Sequence, residues 1–115
     1  MEKLLAGYLP MSEPSFLILL SLLEPRHGYG IMQRVLERTQ GRVSLGAGTV
    51  YTILLRMERD GLISVVCEKE RRKVYQIEPP GRQLLEWEIA RLEQLVRLAR
   101  EDQTTQEQPR AATVL

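Results

Sequence analysis

The period of the apolar residues changes at Gly61, and few folds accommodate what lies on either side of it. Before it, Val50, Ile53, Leu54 and Met57 fall at i, i+3, i+4 and i+7, one stripe of a helix. The other side of that helix carries Thr49, Thr52, Arg56 and Arg59, with Gly48 near its start, where a missing side chain lets backbone amides approach a phosphate. After Gly61, a helix stop, Ile63, Val65 and Cys67 alternate with Ser64, Val66 and Glu68, the period of a half-buried strand. Lys69-Glu-Arg71-Arg72-Lys73 then interrupts, and Val74, Tyr75, Gln76 and Ile77 resume a β-branched and aromatic run. A helix with hydroxyls and guanidiniums outward, followed at once by a hairpin with a basic tip, suits an anionic, hydrogen-bonding partner. A merely solvated face is the plainer reading of the helix taken alone.

The preceding residues favour the first reading. Leu4, Leu5, Tyr8, Leu9 and Met11 predict a short helix or arm around Gly7 and Pro10. Ser12-Glu-Pro14 is a helix start, with a capping hydroxyl and a proline in the first turn. Phe16 to Leu23 then reads as a nearly all-apolar helix closed by Pro25, central in a small bundle or covered by a second subunit. Beyond Arg26-His27-Gly28-Tyr29-Gly30, Ile31, Met32, Val35 and Leu36 have helical spacing, and Gly41 supplies a stop. Two helices joined by a glycine-bearing connection, the second polar outside, have the form of a helix-turn-helix, with the long connection common in winged-helix proteins. In that setting the basic hairpin reads as a wing reaching for backbone phosphates.

Pro79-Pro80-Gly81 ends the second strand and begins a long helix on which Leu85, Ile89, Leu92, Val96 and Ala99 form a heptad seam, widened by Leu84 and Leu95. Such a helix needs cover. A second copy related by a two-fold axis supplies it, with Phe16 joining the seam residues at the interface; folding back on its own domain is the competing reading. Trp87 lies nearly opposite the seam. The expected class is therefore mainly α with a small β-hairpin (α+β). Residues 1–79 form a winged helix-turn-helix with its N-terminal helix or arm, residues 80–102 a C-terminal dimerisation helix, and residues 103–115, rich in Gln and Thr, a disordered tail.

Totals add little for nucleic acid and exclude more elsewhere. Sixteen Lys and Arg against fifteen Asp and Glu leave a net charge of +1, so any case for DNA rests on where charges sit. One cysteine, Cys67, permits no internal disulfide and reads as a small core residue of its strand. The single histidine, His27, lacks neighbours at metal-ligand spacing. No nucleophile with a base, no carboxylate pair and no dinucleotide fingerprint around Gly46-x-Gly48 can be assembled. We expect no enzyme, no cofactor, no metal site, no membrane span and a cytoplasmic location.

The ordered set His27-Gly-Tyr29, Leu45-Gly-x-Gly-Thr49-x-Tyr51, Met57-Glu-x-Asp60-Gly61-Leu-Ile, Arg71-Arg-Lys73-x-Tyr75 and Gly81-x-x-Leu84-Leu85 resembles the PadR family of bacterial transcriptional regulators. The short single helix after the wing is similar to the small-PadR subgroup. The resemblance implies a homodimer that reads a pseudo-palindromic site in double-stranded DNA, as a repressor. It puts the helix at about 47–60 in the major groove through Gly48, Thr49, Tyr51, Thr52 and Arg56, and Lys69, Arg71, Arg72 and Lys73 on the backbone. It makes His27 part of a helix entry. Tyr51 has a second reading, packing toward the preceding helix, and Leu55 either meets a thymine methyl or is covered. Relatives respond to small aromatic or drug-like effectors between subunits, for which Tyr8, Met11, Phe16 and Trp87 are the candidates here, with ordinary interface packing as the alternative. Ile77-Glu-Pro-Pro-Gly81 departs from the family's threonine-bearing helix start, which leaves the exit angle of the last helix open. A winged-helix protein-interaction module without DNA binding is the reading from a different class.

Overall fold

The computed structural model describes residues 1–107. In chain order it contains α1 (Glu2–Ala6), α2 (Glu13–Ser21), β1 (Arg26–His27), α3 (Gly28–Arg38), α4 (Ala47–Arg59), β2 (Ile63–Lys69), β3 (Arg72–Ile77) and α5 (Pro79–Glu107). The strands form an antiparallel sheet in the order β1-β3-β2. It is the mainly helical winged fold expected, with one strand more than the hairpin.

Local chemistry accounts for most boundaries. Ser12 caps α2 by accepting the Ser15 N–H at 3.2 Å, and Pro14 sits inside the first turn, where its missing donor costs nothing. Ile18, Leu19 and Leu22 are fully buried, and Phe16, Leu17 and Leu20 pack partly against the same core, so the all-apolar helix is the centre of the bundle, touched by α3, α4 and α5. His27 caps α3, its Nδ1 accepting the Gly30 N–H at 3.0 Å. Gly41 (φ 81°) and Gly61 (φ 78°) take the left-handed stops assigned to them, and the Leu62 N–H closes α4 by donating to the Met57 carbonyl at 2.9 Å.

The hairpin differs from expectation in two ways. Its tip is only Glu70-Arg71, both at positive φ (52° and 66°), so Lys69, Arg72 and Lys73 belong to the strands. Two central residues with φ above zero are the geometry of the two-residue turn that matches strand twist, here built without the usual Asn or Gly. A bulge between Val65 and Cys67 also shifts the register, Val65 facing Tyr75 but Cys67 facing Val74. The extra residue breaks the alternation read across β2. Consequently Cys67 is exposed, not a core residue.

The last helix departs from expectation as well. Leu85, assigned to the dimer seam, is 4 % exposed and packs with Leu84 into the core of its own domain. Gly81 is what lets α5 settle there: a Cβ built on it would lie 2.3 Å from the Leu62 carbonyl oxygen and 2.8 Å from Ile77 Cγ1. Fold-back therefore describes the first turns, whereas Leu92, Leu95, Val96 and Ala99 stand exposed further on, with Leu98 beside them. The helix runs past the expected end at residue 102, through Glu107. Thr104 and Thr105 turn their hydroxyls back onto the Arg100 and Glu101 carbonyls, and no proline intervenes before Pro109. The rest of the expected tail, residues 108–115, lies outside the described residues.

Candidate nucleic-acid interface

The amphipathicity of α4 fixes which residues it offers. Val50, Leu54 and Met57 are buried, and Gly48, Thr49, Tyr51, Thr52, Leu55 and Arg56 lie exposed on the other side. Leu55 is 69 % exposed, so no helix covers it. Unlike α2 and α3, α4 has no side chain capping its start, because the N-cap is Gly46. The first amides of the helix thus lack an intrahelical partner and carry the positive end of its dipole. Nothing lies within 4 Å of a Cβ built on Gly48, so the approach to these amides is open.

Tyr51 satisfies part of both readings. Its ring is 49 % exposed, and its hydroxyl closes over buried Gly28 so tightly that a Cβ there would lie 2.3 Å from it. Arg56 is engaged differently from expectation, its guanidinium carbon resting 4.2 Å above the ring centre of Tyr8.

The wing is rich in unpaired cations. Lys69, Arg71, Arg72 and Lys73 are exposed and make no salt bridge among the described residues. Glu68 faces Lys73 across the ladder, but Lys69 faces Arg72, a like-charge pair that weakens a hairpin by some tenths of a kcal/mol. The Arg72 guanidinium carbon lies 6.0 Å from the ring centre of Tyr29, which joins the wing to the start of α3. Tyr29 is 52 % exposed and accepts a hydrogen bond from Gln33 Nε2 at 3.3 Å. In the sequence Tyr29 stands in a motif without a role; only the fold brings it beside Arg72.

Two of the four candidate effector residues are unavailable. Tyr8 and Met11 are buried within this chain, the Tyr8 hydroxyl donating to Asp60 Oδ2 at 2.7 Å. Burial, then the hydrogen bond to Asp60, pushes the Tyr8 phenol up to about 12. The same bond lowers the Asp60 carboxyl below its usual range. Phe16 and Trp87 remain half-buried against the core. A cleft of about 220 Å³ opens elsewhere, between α2 and α3, with Leu17, Leu20 and Val35 among its walls and Arg34 and Arg38 beside them.

Glu88, unremarked in the sequence, is a buried carboxylate at 1 % exposure. It accepts Nε and Nη2 of Arg91 at 2.6 and 2.9 Å and the Met11 N–H at 3.1 Å. Arg91, and less strongly the Met11 amide, hold it below the ordinary glutamate range. Its position i+4 from Leu84 and i+3 from Leu85, on the buried stripe, was the available signal.

Comparison with known proteins assigns this arrangement. The model of the transcriptional regulator PadR-like family matches residues 16–87, more than half of the chain, from α2 through the start of α5. The chain belongs to the PadR-like family. Solved structures share the fold of this PadR-like chain: a transcriptional regulator from Clostridium thermocellum (TM-score 0.68, 24 % identity, 86 % of this chain and 96 % of that one) and a PadR family regulator from Eggerthella lenta (0.66, 23 %, 87 % and 85 %). A PadR family transcription regulator from Clostridium difficile is 26 % identical over 76 % of this chain and 95 % of its own, with a TM-score of 0.62. A curated relative, an uncharacterized 37.1 kDa protein in transposon TN4556 of Streptomyces fradiae, is 36 % identical over 78 residues. These are 67 % of the PadR-like chain and only 22 % of that protein. No helix among the described residues is long and apolar enough to cross a membrane.

Proposed function

We propose that this PadR-like regulator acts as a homodimeric, sequence-specific DNA-binding protein, and by its resemblance to the family as a repressor. α4 enters the major groove, and the wing grips the backbone. The observation that carries the reading is the exposed outer face of α4, from Gly48 to Arg56, followed in the chain by a wing whose exposed cations make no salt bridge among the described residues. Thr49 and Thr52 supply hydrogen-bonding groups for base edges, and Leu55 and the exposed ring edge of Tyr51 apolar contacts for a thymine methyl. Lys69, Arg71, Arg72 and Lys73 supply charge for phosphates.

Dimerisation follows from what α5 leaves uncovered. Leu92, Leu95, Val96 and Leu98 are 37, 47, 56 and 48 % exposed on one stretch of helix. A second α5 related by a two-fold axis buries them, and half-sites in the DNA then recur about one helical turn, or a small multiple of it, apart. Ile89 and Phe16, half-buried in the chain alone, border this stretch in the proposed interface, and Leu85 no longer belongs to it.

The experiment is selection of a duplex from a random library, followed by anisotropy titrations across a salt series. Replacing Arg71, Arg72 and Lys73 with alanine should weaken binding and flatten the dependence of log K on log salt by about 0.9 for each phosphate no longer neutralised. An unchanged salt slope would overturn the assignment of the wing. In parallel, Leu95→Lys should convert the sedimenting dimer to monomer; a species already monomeric in the wild type would refute the interface.

A further inference from the structure

One segment touches both moving parts of this reading. Leu5, Tyr8 and Met11, from α1 and the turn after it, are all buried. Tyr8 donates its hydroxyl to Asp60, the C-cap of α4, and carries Arg56 of the same helix over its ring. Three residues on, the Met11 amide donates to Glu88 of α5, and α1 packs on α5 as well. α4 has no extended packing of its own against α5 among the described residues. Besides the direct link at the base of α5, where the Glu78 N–H donates to the Leu62 carbonyl at 2.9 Å, a second polar path therefore runs from the end of α4 at Asp60 to Tyr8, along the chain to Met11, and across to Glu88 further along α5.

We infer that residues 1–11 act as a strap that sets the angle between α4 and α5, with Tyr8 and Glu88 as positioning residues that determine how far apart two DNA-reading helices are held. This rests on the dimeric DNA-binding reading above. Swinging α5 relative to α4 must break the Tyr8–Asp60 bond of 2.7 Å, break the Met11–Glu88 bond of 3.1 Å, or carry the segment between them as a block. The second anchor is costly to break, since the buried Met11 N–H would lose its acceptor while Glu88 keeps Arg91. The lever is long: at 1.5 Å per residue, the stretch from Gly81 to Val96 spans about 22 Å, so a tilt of about 10° moves its far end by about 4 Å. Doubling by a two-fold axis enlarges the effect on the separation of the two α4 helices. The strap thereby acts on which half-site spacing is accepted, apart from how strongly each half-site is held.

The chain carries its own reporter. Cys67 is its single cysteine and is exposed on the wing. With a nitroxide on Cys67, dipolar spectroscopy of the full-length protein reads the wing-to-wing distance in a dimer. Wild type should give one narrow distribution. Tyr8→Phe keeps the ring beneath Arg56 and removes only the donor; it should shift the mean by several Å or broaden the distribution clearly. Asp60→Ala removes the acceptor from the other side and should reproduce the change, and the double substitution should add nothing further. Val35→Ala, a truncation in the core of α3, should lower the melting temperature and leave the distance unchanged. Because the two strap variants approach one bond from opposite ends, loss of folding in either leaves the other to decide. Wild-type distances in a folded Tyr8→Phe or Asp60→Ala protein would overturn the strap while leaving the dimer intact. Absence of any dipolar coupling in the wild type would overturn the dimeric reading, and the strap with it.

Discussion

Gly48→Ala should move stability and DNA affinity in opposite directions. Gly48 is the second residue of α4, in ordinary helical conformation and with nothing within 4 Å of a Cβ placed on it. In the free protein the methyl group has only benefits: less backbone freedom to lose on folding and better helix propensity. Near a helix start the gain is about 0.5 kcal/mol, roughly half the interior difference between Gly and Ala. That corresponds to a rise in melting temperature of about 2–4 °C for a domain of this size. On DNA the same methyl occupies the approach to the uncapped first turn. Losing one amide–phosphate hydrogen bond there costs about 1.5–3 kcal/mol, or roughly ten- to hundredfold in affinity. Thermal unfolding by circular dichroism and anisotropy titration on one selected duplex measure both. Higher melting temperature with wild-type affinity would refute the backbone approach at this turn. A lower melting temperature would refute the open, helical environment of Gly48 itself.

Other substitutions test the frame around that helix. Gly81→Ala should destabilise by about 1–3 kcal/mol despite alanine's better propensity, because its Cβ would press on the Leu62 carbonyl oxygen; chemical denaturation checks it, and a neutral result would refute the close approach of α5 to Leu62. Glu70→Asn should stabilise by about 0.5–1 kcal/mol by suiting the positive φ of the turn, and should not weaken DNA binding, since it removes a negative charge beside the wing cations. For Tyr8, whose phenol is raised to about 12, the contribution to stability is full below the unfolded value of about 10 and is lost as pH rises from there through about 12; spectroscopic titration of the tyrosines should lose its highest step in Tyr8→Phe. For Glu88, held low by Arg91, the contribution is full above the unfolded value of about 4.3 and is lost as pH falls through the lower folded one, so Glu88→Gln should flatten the acid limb of stability against pH.

The parts of the fold legible in the sequence are those with a local cause. Ser12 and Pro14 start a helix through their own chemistry, Gly41 and Gly61 stop helices through their own conformation, and the stripe Val50-Ile53-Leu54-Met57 declares its buried side. What stayed hidden depends on partners distant in the chain. β1 is two residues long, too short to show a period, and exists because Tyr75 and Val74 lie beside it. The bulge at Val65/Cys67 reverses a side chain without leaving a mark in composition. The two-residue tip escaped because Glu70 and Arg71 are not the residues that such turns favour. For the candidate site, the outward face of α4 could be listed in advance, but the engagement of Arg56 by Tyr8 joins residues 48 positions apart and has no pattern to read.

The long helix shows why an apolar stripe alone cannot say what covers it. Leu84 and Leu85 face the domain that precedes them, and Leu92, Leu95 and Val96 continue the same stripe into the open. A helix leaving its domain keeps its period, because the next surface to be met is apolar too; the hydrophobic pattern is therefore continuous across a change of partner. Charge is what changes there. Glu88 lies on the buried side of α5, satisfied by Arg91 one turn ahead and by the Met11 amide, an arrangement that would leave the buried Met11 N–H without its acceptor if α5 detached. A carboxylate placed on the apolar stripe and paired at i+3 thus lies where the helix passes from its own core towards the exposed apolar residues Leu92, Leu95 and Val96.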